Sequence, residues 1–428
     1  MKNTVSYILT ALFLTGYLSC KKPFSPKLTS ISTNFLAVDG PIISGDSTFI
    51  ALSRTTSLSD TTQNKPELKA IVSVEDDQGK LYPLIETGNG NYVLGVTNFS
   101  TARQYRLDIK TTDGKIYQSD FVPMKVTPPI DSIYFQQPDA SNVAFYVNAH
   151  DATNNTRYYR WDYKETWSIV PFYQALYEYK NSQIINTPPG TADDVSVCYK
   201  GDASNQIFIG SSAKLAQDVI SGQEIGSLAA GSEKIAHIYC MQLRQYALTQ
   251  NGFNYYQNLK TNTENLGSIF DAQPSTLTGN IHCITSPTDE VIGFISVSTA
   301  TTKQYNLHYS DIPLRVPSFY DAVWFANNNI SWFGSTVTEN YFPSPTVYDC
   351  AYPGGGSPVP YFTWILLFDP AATYAKRQTT ALAKGDSLVI TTAVANAQVV
   401  GYYYAPKQCV DCRLKGGTNI RPAYFPPY

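Results

Sequence analysis

Between Asn34 and Met124 the chain offers seven short runs of strand-forming residues: "FLAV", "TFIALS", "AIVSVED", "LYPLIE", "YVLGV", "YRLDIK" and "KIYQSDF". Asp77-Gln78-Gly79, Gly88-Asn89-Gly90 and Asp113-Gly114 punctuate them, and glycine steps of this kind are the turns that hairpins need. In "YRLDIK", Tyr105, Leu107 and Ile109 share one face against Arg106, Asp108 and Lys110, the period-two pattern of a half-buried strand. Seven strands in about ninety residues is the count of a small β-sandwich. An Ig-like or transthyretin-like module is therefore expected over 34–127. Pro128-Pro129 in "VTPPIDSIYF" cannot pair inside a sheet, and it marks the expected boundary with a larger domain over 130–428.

That second domain is expected to be β-rich, with one or two helices and long aromatic loops, which makes the whole chain mainly β. Composition agrees: only 15% of residues are charged, while 32 Tyr and 20 Phe stand beside 26 Gly and 26 Pro, a mix poor in helix formers. The clearest strand is "YYRWDYKETWSI". Tyr159, Trp161, Tyr163, Trp167 and Ile169 alternate with Arg160, Asp162, Lys164, Thr166 and Ser168, and Glu165 falls on the aromatic face. Glu165 either sits near a sheet end or pairs with a buried Arg, or it is a ligand-facing carboxylate in an aromatic pocket with Trp161. "LTQNGFNYYQNLKTNTEN" predicts a helix capped by Thr249, with Phe253, Tyr256 and Leu259 on one side. "SSAKLAQDVI" predicts a shorter one capped by Ser211 or Ser212. "YFTWILLF" reads as a buried strand. Loops carrying Trp324 and Trp332 offer either a binding surface or ordinary loop packing.

The first residues constrain the compartment. "MKNTVSYILTALFLTGYLSCKK" carries one charge, Lys2, then an apolar stretch from Val5 to Leu18 and a cysteine. That is a signal peptide over 1–19 rather than a retained span. Leu18-Ser19-Cys20 supplies the small residue before cysteine that a lipoprotein signal peptidase needs, despite Tyr17 where leucine is commoner; an ordinary secretory leader is the alternative. Each buried methylene of an acyl chain on Cys20 would contribute about 0.8 kcal/mol, so several chains hold durably. Lys21 in place of aspartate favours the outer membrane, with periplasmic and surface-exposed orientations both open. Residues 20–33 read as a tether. The mature chain of 409 residues has 30 basic against 34 acidic side chains, which argues against a nucleic-acid partner.

Beyond Cys20 lie six cysteines: Cys198, Cys240, Cys283, Cys350, Cys409 and Cys412. An even number after an export signal implies disulfides, with fifteen connectivities open. Cys198 with Cys240, both in strand-like surroundings, is the expected pair. Cys409-x-x-Cys412 with His282-Cys283 has ligands for zinc, but exported thiols are normally oxidised. A thioredoxin-like role would need the motif to open a helix, and Asp-Cys-Arg before Gly-Gly is poor helix sequence. A structural staple of the C-terminal segment is expected instead, with no metal and no cofactor. The four histidines are scattered, and no catalytic motif joins them.

"CVDCRLKGGTNIRPAYF", with "YLSCKKP", "FLAVDGPI…ALSRT", "TPPIDSIYF", "RYYRWDYKETW", "GSIFDAQPSTLTGNIHC" and "VIGFISVS", resembles a family of Bacteroidota lipoproteins known as domain of unknown function 4249. The likeness runs across nearly the whole mature chain. The family pattern ends in Phe-Trp where this chain has Tyr424-Phe425-Pro426. Members are often encoded beside TonB-dependent outer-membrane transporters, so the resemblance implies a non-enzymatic accessory lipoprotein that captures a substrate or caps a transporter. A structural or adhesive envelope protein and an exported hydrolase of unrecognised type are the rival expectations.

Overall fold

The computed structural model describes residues 34–56, 65–171, 177–180, 183–186, 194–264, 277–314, 387–395, 398–406 and 411–427. The expected leader and tether, with Cys20, Cys350, Cys409, Trp324, Trp332 and the "YFTWILLF" run, lie outside the described residues. The described chain is mainly β, with one α-helix. None of its helices is long and apolar enough to cross a membrane.

Two sheets face each other in the first sandwich. One runs in the order Val291–Ile292, Leu36–Asp39, Thr48–Arg54, Asn91–Leu94 and Ile85–Gly88. The other runs Ile281–Cys283, Ile116–Ser119, Gln104–Lys110, Ile71–Asp76 and Leu81–Pro83. Alternation decides which side chains meet: Tyr105, Leu107 and Ile109 are buried with Val72 and Val74, against Leu36, Ile50, Leu52 and Tyr92 from the facing sheet. The "LYPLIE" run is not one strand. Leu84 turns into the core, so Leu81–Pro83 belongs to one sheet and Ile85–Gly88 to the other. Gly90 closes the next turn at φ 76°, where a Cβ would come within 2.3 Å of the Leu52 carbonyl oxygen. Only glycine fits there.

The second sandwich sets Ile130–Gln136, Asn142–His150 and Val219–Ala229 over a larger sheet. That sheet runs Cys198–Ala203, Tyr158–Ile169, Ile238–Ala247, Val297–His308 and Ile42–Ser44, with Phe208–Ser211 also pairing Tyr158–Ile169. Val143, Phe145 and Val147 pack on Trp161, Tyr239, Met241 and Leu243 between the layers. The helix, Gln250–Glu264, lies against the Tyr158–Ile169 strand and is capped as expected: the Gly252 N–H donates to Thr249 Oγ1 at 3.2 Å. The second predicted helix does not form. Ser212 and Tyr159 both donate to the Asp218 carboxylate, tying 212–218 into a loop between two strands. Short polar side chains that bond this way compete with a helix. A further sheet of Tyr177–Lys180, Gln183–Asn186, Ser387–Ala395 and Gln398–Pro406 is described by its backbone.

Backbone crosses the Pro128-Pro129 joint in both directions. Ile42, Ile43 and Ser44 pair in parallel with Val297, Ser298 and Thr299 of the second sandwich. In return, Val291 and Ile292 pair with Leu36 and Ala37, and Cys283 pairs with Tyr117, inside the first. Lys125 bridges to Ser298, and the Thr127 N–H donates to Thr299 Oγ1 at 2.8 Å. Ile281, Cys283, Ile295 and Val297 thereby complete the core begun by residues 36–124.

Candidate functional site

Glu165 lies on the inner face of its strand, 4% exposed. It accepts from Lys234 Nζ and, at 2.8 Å, from the Tyr239 hydroxyl. The partner is thus a lysine, carried in by the short helix Glu233–Ile235, rather than an arginine. Burial first, and then the Glu165 charge, push the Tyr239 phenol up, so it stays a donor. Trp161 is 1% exposed, stacks on Tyr159 and donates from Nε1 to Gln245 Oε1 at 2.8 Å. Both sequence candidates therefore have their polar atoms satisfied within the sandwich.

The cysteines are arranged differently from expectation. Cys198 is bonded to Cys412, across 214 residues, and not to Cys240. The reason is register: Cys198 pairs with Ile169 on one edge of the Tyr158–Ile169 strand, while Cys240 pairs with Thr166 on the other. Two strand spacings and a three-residue offset in register put them roughly 14 Å apart, beyond disulfide reach. Cys240 and Cys283 are buried free thiols, and burial pushes Cys240 up to about 11. His282 is exposed beside Asp120 at 3.2 Å while Cys283 faces the core, so strand alternation turns these two zinc-type side chains to opposite faces. Cys412 opens the short helix Cys412–Lys415, capped by the buried Asp411 carboxylate, which accepts from the Arg413 N–H at 3.0 Å and from its guanidinium at 2.9 and 2.8 Å. Gly417 passes so close that a Cβ would meet Cys198 Cβ at 2.8 Å. Tyr199 and Thr418 exchange backbone hydrogen bonds, and Phe425 is buried against Tyr199, Ile238 and Cys240.

A cleft of about 270 Å³ opens at one end of the first sandwich. Its floor is Asp76 and Tyr105, opposed across the ladder between Ile71–Asp76 and Gln104–Lys110. The turn after Asp76 supplies Gln78 and Lys80, the strand Leu81–Pro83 supplies Tyr82, and the 95–103 connection supplies Asn98 and Arg103. Asp76 is buried and holds the turn: one carboxylate oxygen accepts the Gln78 and Lys80 N–H groups at 3.0 Å, the other Arg103 Nη1 at 3.3 Å. The Lys80 N–H above all, aided by that of Gln78 and the Arg103 charge, keeps its carboxyl below the ordinary range. Lys80 Nζ stands 4.7 Å from the centre of the Tyr82 ring, whose other neighbour is Phe99, edge-on at 5.3 Å. Among the described residues the side chains of Gln78, Lys80 and Asn98 make no hydrogen bond. The cleft is small and mostly polar, with Tyr82 and Tyr105 as its aromatic lining. Asp77-Gln78-Gly79 is legible as a turn, but nothing in the residue pattern of 95–103 marks it as the other wall of the cleft.

A model of the family described as a domain of unknown function, DUF4249, matches residues 21–304. The chain belongs to that family. The matched stretch of the DUF4249 chain takes in the strands of both sandwiches through most of Val297–His308, and it stops before the Cys412 staple. No curated protein matches this DUF4249 member. Among solved structures it is similar to a two-domain fibronectin type-III segment from chicken tenascin, at 8% identity and a TM-score of 0.14, over 50% of this chain and 90% of that one. It is also similar to the Yersinia pseudotuberculosis adhesin InvE, at 13% identity and a TM-score of 0.14, over 50% of this chain and 57% of that one.

Proposed function

We propose that the protein is a non-enzymatic accessory lipoprotein, held in the outer membrane by acyl chains on Cys20. In this reading it serves a TonB-dependent transporter, capturing substrate at the tip of the first sandwich or capping the transporter. The observation that supports it most is the Cys198–Cys412 disulfide. A bond of that kind persists where thiols are oxidised, which is where a leader ending in Leu18-Ser19-Cys20 would deliver the chain. Mass spectrometry of the native amino terminus is expected to find a diacylglycerol-modified Cys20, and affinity purification from detergent-solubilised membranes is expected to recover a large β-barrel. Repeated recovery of the protein alone would count heavily against the transporter partnership.

The exchanged strands at the joint favour a second reading, a structural or adhesive spacer, because two sandwiches locked by shared backbone resist bending. A deletion strain separates the two. Loss of uptake supports the accessory role; altered adhesion with normal uptake supports the spacer.

A further inference from the structure

We infer that the amino-terminal end of the first sandwich rests on the bilayer that anchors the chain, with Ile71, Ile116 and Ile284 entering the headgroup layer. The inference rests on the lipid-anchored reading above and adds to it the face that meets the membrane.

The last rung of one sheet carries the argument. Ile71 opens its strand, Lys110 ends the next, Ile116 opens the third, and Ile284 follows directly on Ile281–Cys283. Register sets the four side by side. Ile71 pairs with Lys110, Lys110 pairs with Ile116, and the Ile284 N–H donates to the Ile116 carbonyl at 2.7 Å. Their chain neighbours Val72, Ile109, Tyr117 and Cys283 fill the core, so alternation turns all four side chains outward. Ile71 is 69% exposed and Ile284 53%, while Ile116 is half-buried. The next rung is polar: Ser73, Asp108, Gln118 and His282. Lys110 fits the apolar row, because its stem can lie among isoleucines while the ammonium reaches lipid phosphate. Of the acids on the adjoining turns, Asp113 is taken by Thr111 and Asp289 by Lys115 Nζ, and Glu290 stays exposed. Apolar area, more than charge, therefore draws this row to lipid.

The entry of the chain says what covers it. Arg54 Nη1 donates to the Asn34 carbonyl at 3.4 Å and to the Tyr117 hydroxyl at 3.2 Å. Asn34 thus lies at the same end of the sandwich as Ile116. The second sandwich joins at the opposite end, through Ile42–Ser44 and Lys125. Only residues 21–33 separate Asn34 from Cys20, a stretch that reaches about 50 Å even when fully extended. Acyl chains on Cys20 therefore draw this end to the lipid first.

Photocrosslinking of the acylated full chain tests the inference. The vesicles are phosphatidylethanolamine and phosphatidylglycerol, doped with a phospholipid that carries a diazirine near its headgroup, and adducts are located by peptide mass spectrometry. Adducts at Ile71, Ile116 and Ile284 are expected at least about tenfold above those at Phe49 and Ile85, which are comparably exposed on the outer face of the other sheet. Ile71→Ser combined with Ile284→Ser is expected to cut the Ile116 adduct at least about fivefold, while the lipid on Cys20 keeps the chain in the vesicle fraction. Both positions are exposed, so the double variant should melt with the parent. Absence of adducts at the three isoleucines overturns the inference, as does equal labelling of Phe49 and Ile85 or a double variant that labels Ile116 in full. With Cys20 acylated, such results leave the anchoring standing; an unmodified Cys20 overturns both.

Discussion

Glu165 and Lys234 share an ion pair but not a burden. The carboxylate is 4% exposed and the lysine side chain 26%, and Asp202 stands 3.7 Å from Nζ at the surface. Removing the lysine strands a buried charge; removing the carboxylate charge leaves an ammonium with an exit to water. Lys234→Ala is therefore expected to cost about 3–5 kcal/mol and Glu165→Gln about 1–3 kcal/mol; equal costs in urea unfolding would show that Tyr239 alone suffices to hold the carboxylate. Asp108 has the opposite problem. Burial, and then the neighbouring Glu75 carboxyl, raise it to about 6, and its Oδ2 is buried with no hydrogen bond, 3.6 Å from Arg106 Nε. An acid raised in the folded state costs nothing below its unfolded value near 4; the cost grows as pH climbs from there to about 6 and is constant above. Asp108→Asn keeps the acceptor for Gln118, which donates at 2.6 Å, and abolishes the charge. It should stabilise the fold by about 1 kcal/mol above pH 6, discounted for solvent screening, and by nothing at pH 4. A gain that does not vary with pH would rule out this origin.

The C-terminal segment 411–427 is held to the body by one disulfide and by hydrogen bonds, and a further hydrogen bond closes it on itself. Cys412 is linked to Cys198, Thr418 to Tyr199, Gln304 Nε2 donates to the Tyr424 carbonyl at 3.0 Å, and Arg421 donates to that of Phe425. Closing a loop of this length lowers the entropy of the unfolded chain by an amount equivalent to about 5 kcal/mol in the chain-entropy account. Cys412→Ser should accordingly lower the melting temperature by several degrees. Limited proteolysis should then cut within 411–427 before it touches the sandwiches; cleavage elsewhere first would deny the segment its role as a staple. The staple was legible in Cys-x-x-Cys followed by Gly416-Gly417, and so was the strand Tyr158–Ile169, because ten of its twelve residues alternate and carry their own evidence. The Cys198 partner was not, since strand-like surroundings do not say which strand lies between two cysteines. Nor were the pairings of Ile42–Ser44 and Val291–Ile292. Elements of three and two residues have no period to read, and their partner, not their propensity, makes them strands.

At the scale of the molecule, those short elements decide whether the chain behaves as one body or two. Pro128-Pro129 suggests two units, each with its own core. Yet the first core lacks Ile281, Cys283, Ile295 and Val297 until residues 281–299 return to it, and the larger sheet of the second lacks its edge until Ile42–Ser44 is in place. A sandwich missing two strands exposes Leu36 and Tyr117 along unpaired edges, which is an aggregation hazard rather than a stable half. A fragment ending at Thr127 should therefore remain unfolded by circular dichroism and NMR dispersion. Adding a synthetic peptide of residues 277–299 should restore folded signals, because it supplies both missing strands and the four missing core side chains. The intact chain should unfold by calorimetry in one transition across both sandwiches. A fragment 34–127 that folds without the peptide, or two resolved transitions in the whole protein, would mean that the exchanged strands decorate the joint instead of coupling the bodies it connects.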